Sequence, residues 1–401
     1  MTTRTLHDFH QYRWKRSSED PSYYCCSVGG SELIEDMWQR YKDGEEKVFF
    51  GVNLELGVLV SPITFLDRSR EAWIATRRVI PTIASRKEYT AGGRPLLTYR
   101  VPKHNEETVA RAKRTDGDQT FLSILPFSDT NYGMVLFSSH VPSDSAGIKA
   151  IMNTHLTKLT QYIIDPSLVA EEAAAWGLEV DKLLPFVTDI LPDRESKEVH
   201  VRQQTLGSAI DNLGCTTLRL RGFEPEKPGP GTSRGLRYTF SVEETKALLN
   251  AAYSEQLTLN HVGVVDKGEK EQLLEIAKHV RKQHQTQKEH PSLLPIEPEQ
   301  IDLTAGQSAS GLFPATYLDP WYSGDEMDED RLDAEHFSGD SKIITITNFF
   351  QSLVKTQPGP SFRTYLRRGQ LELRVDFNED EMSREVVHSF TKTWAEYISL
   401  L

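Results

Sequence analysis

Cysteine is scarce in this chain. Its three residues, Cys25, Cys26 and Cys215, are too few and too oddly spaced for a disulfide framework or a zinc site. No run of about 18 consecutive apolar residues occurs, so no membrane span is expected. The first eight residues, Met1 to Asp8, are polar and lack the apolar core of a signal peptide, which makes a cytoplasmic setting the expectation. Positive charge is also in deficit. A formal net charge of −12 argues against a nucleic-acid or anionic-membrane partner, since those surfaces select excess Lys and Arg.

What is present is the composition of a globular protein, 38% hydrophobic and 26% charged. A length of 401 residues exceeds one ordinary core, so two domains or one large pseudo-symmetric α/β assembly is expected. Residues 31–41 read as a short amphipathic helix, and residues 48–56 and 57–61 as strands. Residues 67–80 read as a helix with Asp67 at its N-cap and Pro81 as the stop. Residues 96–101 and 120–125 read as strands, with a short charged helix over 106–113.

The clearest strand-to-helix unit follows. Residues 134–139 form a strand, 140–147 a turn, and 146–164 a helix with Ile148, Ile151, Met152, Leu156, Leu159 and Ile163 on one apolar stripe. Residues 224–233, rich in Pro and Gly, read as a linker. Beyond it come a strand over 236–240, a capping box at Ser241 and Glu244 opening a helix to about Glu255, and a helix over roughly 270–282. The acidic stretch 324–333 reads as a solvated loop. Strands over 343–346 and 371–377 precede a closing helix that should bury Val386, Val387, Phe390, Trp394 and Ile398. Strands and helices in both halves give an α/β expectation, with the first domain over 1–195 and the second over 196–401.

Within the turn stands His140-Val-Pro-Ser-Asp144, an H-x-x-x-D pattern. A neutral imidazole takes a proton well near pH 7, which is what acyl transfer to a hydroxyl requires of a base. The aspartate is expected to hold the loop, with Arg219 and Arg221 as candidate partners. The pattern alone is weak, because a chain with 12 histidines yields roughly one chance match. A second match, His336 to Asp340, lies after the acidic stretch with no apolar helix behind it and reads as coincidence.

The segment Phe137-Ser-Ser-His-Val-Pro-Ser-Asp-Ser-Ala-Gly-Ile resembles the H-H-x-x-x-D-G core of the chloramphenicol acetyltransferase-like superfamily, which includes condensation domains and fungal O-acetyltransferases. Residues 65–81, 238–249 and 371–401 are similar to an early helix, the opening of the second lobe and the final strand and helix of that group. The flavour is that of the trichothecene O-acetyltransferases. The resemblance implies two α/β lobes, each a mixed sheet with flanking helices, and an active-site tunnel between them. It implies His140 as general base and Asp144 and Gly147 as structural members of the motif. It also implies an acyl-CoA, acetyl-CoA foremost, as co-substrate, with no permanently bound cofactor and no metal. A small-molecule alcohol would be the acceptor, and a monomer the working unit.

The sequence departs from that pattern in places. Ser139 replaces the first histidine, and Gly147 falls two residues late because Ser145 occupies the usual glycine position. No D-F-G-W-G segment exists. A contraction of the second lobe is suspected near 262–271. These departures keep open a condensation-like protein that binds or cyclises a metabolite without acyl transfer, or an inactive truncated homologue. Other residues read more plainly. His261 beside Asp266 reads as a strand-end residue, and His279, Arg281, Lys282, His284, Lys288 and His290 as a solvated helix end that a CoA phosphate would find attractive. Trp73, Trp176, Trp321 and Trp394 read as core or channel lining. Tyr23, Tyr24, Cys25 and Cys26 read as a stretch able to cover a tunnel mouth.

Overall fold

The computed structural model describes residues 9–29, 31–41, 47–103, 107, 120–171, 176–185, 231–257, 274–275, 277–279, 281–282, 285, 321–324, 332–356 and 360–400. The chain divides into two compact units, one of residues 1–37, 47–194 and 331–352 and one of residues 38–46, 195–330 and 353–401. Residues 331–352 thus return from the second half of the chain to the first unit.

The first unit holds two sheets among the described residues. One has the order β1-β2-β5-β4, from β1 (Lys15–Arg16), β2 (Tyr23–Ser27), β4 (Arg86–Tyr89) and β5 (Pro95–Arg100). Tyr23, Tyr24, Cys25 and Cys26 therefore lie in a strand paired on both edges, where Cys26 is buried. The other has the order β10-β11-β3-β7-β6, from β3 (Val48–Leu56), β6 (Phe121–Pro126), β7 (Asn131–Ser138), β10 (Glu335–Ser338) and β11 (Ser341–Leu353). Alternation decides its faces. Val48, Phe50, Val52 and Leu54 of β3 and Tyr132, Met134 and Leu136 of β7 are buried. The intervening positions carry an aromatic row in which Phe137 packs against Phe49 and Phe121, with ring centroids 4.7 and 4.6 Å apart.

Helices α2 (Pro62–Val79) and α3 (Ser145–Ile164) pack on each other, and Phe65 of α2 stacks on Tyr132. The stripe expected on α3 is present at Ile148, Ile151, Met152, Leu156 and Leu159, while Tyr162 rather than Ile163 completes the buried side. Helix α1 (Ser31–Tyr41) matches the expected span.

The start of α2 differs from expectation. Residues 57–61 are not a strand, and Asp67 lies inside the helix, paired with Arg70. The cap is Ser61, whose Oγ accepts the Thr64 amide at 3.2 Å, with Pro62 in the first turn. Ser-Pro is a strong helix start because proline lacks only an N–H that the first turn would leave unpaired. Just past the end of β3, Gly57 still donates its amide to the Ile343 carbonyl of the neighbouring β11, and a Cβ on Gly57 would meet the Lys342 carbonyl oxygen.

The second unit holds a sheet of order β8-β13-β12-β9, from β8 (Ser233–Thr239), β9 (Trp321–Gly324), β12 (Ser361–Arg367) and β13 (Gln370–Asn378). Its only parallel pair among the described residues is β9 with β12. Leu371, Leu373, Val375 and Phe377 share a buried face as their spacing predicts, packed with Phe240, Phe362, Leu248, Ala252, Val387 and Trp394. Two helices supply those last four side chains: α4 (Val242–Ser254), opened by the Ser241–Glu244 capping box, and α5 (Arg384–Ile398). On α5, Val387, Trp394 and Ile398 are buried as expected, but Val386 is 52% and Phe390 38% exposed. Val386 adjoins Val387 and is turned about 100° from it, so both cannot face the sheet squarely. The opposite sheet face buries Arg363 beside Asp376, which also holds Arg374 Nε at 3.2 Å.

The linker over 224–230, the helix expected over 106–113 apart from residue 107, and most of the acidic stretch lie outside the described residues. Described residues between 274 and 285 are helical. No helix among the described residues is long and apolar enough to cross a membrane.

Leu156 is fully buried on α3, a helix that packs on α2 and the sheet. Leu156→Ala is expected to lower unfolding free energy by about 2–5 kcal/mol, the usual cost of a large-to-small core change with its cavity. Urea titration of the two proteins checks it, and a midpoint unchanged at constant slope would refute this packing.

Candidate functional site

The H-x-x-x-D segment lies where β7 ends and α3 begins. Ser138 is the last residue of β7, and its hydroxyl pairs with Thr120 Oγ1 at 2.8 Å and donates to the Ser139 carbonyl at 2.9 Å. Ser139, 3% exposed, accepts the Val141 amide on its Oγ. The position of the family pattern's first histidine is therefore filled by a buried hydroxyl that shapes the turn. Between these anchors stands His140, with its side chain 17% exposed.

Asp144 is the N-cap of α3. Its Oδ1 accepts the Gly147 amide at 2.6 Å, and its carbonyl accepts the first helical bond, from Ile148. A Cβ on Gly147 would lie 3.1 Å from that Oδ1, so glycine here leaves room for the carboxylate to sit tight on the amide. Asp144 is exposed and makes no ion pair among the described residues. Arg219 and Arg221, its expected partners, lie outside them. A capped carboxylate at a helix N-terminus also meets the positive end of the helix dipole.

Sequence reasoning missed Glu35. This residue of α1 sets Oε1 3.8 Å from His140 Nδ1, with its side chain 12% exposed. Its neighbour Asp36 is fully buried, held by Lys87 Nζ at 3.0 Å and Tyr89 Oη at 2.8 Å on β4. The available signal was two consecutive carboxylates on a short amphipathic helix. Nothing local links position 35 to position 140.

The rival match is built differently. His336 is buried in β10, with Asp340 in the hairpin leading to β11, so no strand-to-helix turn presents its imidazole. Its Nδ1 lies 3.5 Å from Thr157 Oγ1 on α3. Close by, His155 is fully buried, with Nε2 3.1 Å from Ser69 Oγ and its ring edge-on to Trp73. Burial pushes the His155 pKa down to about 3, with His336 adding to the effect. Burial lowers His336 as well, against the opposing pull of Asp333.

Trp73 and Trp394 are core residues, whereas Trp176 is half-buried beneath the Arg78 guanidinium. Of the basic cluster, His279 and Lys282 are exposed and Arg281 donates to Gln256 Oε1; its other members, with His261 and residues 262–271, lie outside the described residues. No group of His, Cys, Asp and Glu able to hold a metal occurs among the described residues.

Comparison with known proteins places the fold. No protein-family model matches the chain, and no curated protein matches its sequence. Solved structures do match. The chain is similar to trichothecene 15-O-acetyltransferase from Fusarium sporotrichioides, at TM-score 0.85 and 14% identity over 98% of each chain. It is also similar to the condensation domain of the monacolin K polyketide synthase MokA, at TM-score 0.58 and 11% identity over 94% of this chain and 97% of that one. Polyketide synthase associated protein 5 from Mycobacterium tuberculosis matches at TM-score 0.57 and 11% identity, over 93% and 96% of the two chains. The fold is the mixed α/β fold of chloramphenicol acetyltransferase-like proteins and condensation domains.

A histidine held neutral in the fold but free to ionise when unfolded gives stability that is complete above its unfolded pKa and is lost as pH falls below it. With His155 and His336 both lowered, the loss begins near pH 6.5 and proceeds towards the folded value of about 3 for His155. His155 contributes up to about 1.4 kcal/mol per pH unit in that window, and His336 acts in the same direction. Thermal unfolding at pH 7.5, 6.5 and 5.5 should show the midpoint falling between the last two. His155→Gln should flatten that fall, and an equal slope in both proteins would contradict the assignment.

Proposed function

We propose that the protein is an acyltransferase in which His140 deprotonates a hydroxyl of a small secondary metabolite and an acyl-CoA, acetyl-CoA foremost, supplies the acyl group. The observation that carries this reading is His140 itself. It is a partly exposed imidazole at a strand-to-helix turn, in a fold shared with a trichothecene 15-O-acetyltransferase. The hydroxyl proton passes to the imidazole as the oxygen attacks the thioester carbonyl. The tetrahedral intermediate then breaks its C–S bond, and the imidazolium returns the proton to the departing thiolate. Ester and free thiol form and His140 is regenerated, so no enzyme nucleophile and no metal take part. Asp144 and Gly147 serve the turn: the cap fixes the first residue of α3 and with it the residues just before. The protein works in this reading as a cytoplasmic monomer without a resident cofactor.

Release of free CoA from acetyl-CoA in the presence of a panel of alcohols tests the reaction. His140→Ala should lose about 10²–10⁴-fold in kcat, the span expected for a general base, while keeping its unfolding midpoint. A His140→Ala protein with undiminished turnover would remove His140 from the chemistry. Asp144→Ala should cost about 0.5–2 kcal/mol of stability through the lost cap. Chemical denaturation reads that change, and stability equal to wild type would show that the cap contributes nothing.

A further inference from the structure

We propose that Glu35 is the positioning residue for His140: its carboxylate holds the imidazole proton on Nδ1 and leaves the Nε2 lone pair to act as base. This rests on the reading of His140 as the base.

Three observations support it. First, Nδ1 is the ring nitrogen at ion-pair distance from Glu35, 3.8 Å from Oε1. That is longer than a hydrogen bond, as catalytic contacts in unliganded sites often are before substrate tightens them. Second, both side chains are largely withdrawn from water, at 12% and 17% exposure, so solvent screens the pair little. Third, both sides are anchored. Asp36, fully buried, ties α1 to β4 through Lys87 and Tyr89, and Glu35 projects about 100° around the helix from it. On the other side, the hydroxyls of Ser138 and Ser139 fix the backbone around His140.

The chemistry gives this arrangement a purpose. A neutral imidazole has one N–H and one lone pair, and the hydrogen bond made by one nitrogen decides which is which. Free imidazole side chains favour the proton on Nε2, which would leave the outer nitrogen unable to accept. A carboxylate beside Nδ1 reverses the preference and also stabilises the imidazolium formed during transfer, as the buried aspartate of a Ser-His-Asp triad does.

Nitrogen-15 NMR of protein labelled at histidine reads the tautomer directly, without substrate. The His140 signals are assigned by their loss in His140→Ala. Wild type above its histidine titration should show His140 protonated on Nδ1. Glu35→Ala should move it to Nε2–H or to a mixture, lower kcat about 10²-fold and leave KM within about twofold. Glu35→Met, which keeps the side chain's length but offers no oxygen, should do the same should alanine disturb α1. Glu35→Gln, whose carbonyl still accepts from Nδ1, should recover part of the rate. An unchanged tautomer in both Glu35→Ala and Glu35→Met, or a wild-type proton on Nε2, would overturn the proposal. Failure of the base reading is seen separately, as full turnover in His140→Ala, and cannot be confused with a tautomer that ignores Glu35.

Discussion

The hydrogen bond that the Gly147 amide donates to Asp144 Oδ1 marks where β7 has given way to α3, and the packing on both sides of it leaves that point little choice. β7 is paired on both edges and α3 packs on α2 and the sheet, so the residues between them have little freedom. A cap one residue later would rotate the start of α3 by about 100° and carry its apolar stripe off the sheet. The same constraint places His140 four residues before the cap, beyond the last strand residue and short of the core. A side chain at this position inherits its location from the packing of Ile148, Met152 and Leu156.

Much of this was legible in the chain. The pattern in 48–56 and 371–377 and the stripe on 148–159 point to β3, β13 and α3, because burial on one face leaves a period that can be counted. The capping box at Ser241 was readable because its two halves lie three residues apart. The start of α2 is less legible, because apolar Val58, Leu59 and Val60 imitate a strand and Asp67 resembles a cap although Ser61 and Pro62 open the helix. Leu59 is in fact 84% exposed. Glu35 and the return of 331–352 were not legible, since each depends on segments far apart in sequence meeting in space.

The likeness to the trichothecene 15-O-acetyltransferase, strong in shape and slight in identity, fits that division. Shape follows from the burial pattern, which many apolar residues can satisfy equally. Chemistry depends on a few side chains, and here serines stand at two positions of the H-H-x-x-x-D-G pattern, Ser139 and Ser145. One of them, Ser139, takes part in the turn's own hydrogen bonding.

The place of β11 also bears on how the chain is made. β3 lies between β7 and β11, and its second partner is about 290 residues downstream, with Thr347 Oγ1 reaching the Asn53 carbonyl. During synthesis one flank of β3 has no native neighbour until about 290 further residues have emerged. For that interval a long apolar strand offers an open ladder to any other extended segment. Nascent chains of this protein should therefore call on chaperones that shield extended segments more than its finished stability would suggest.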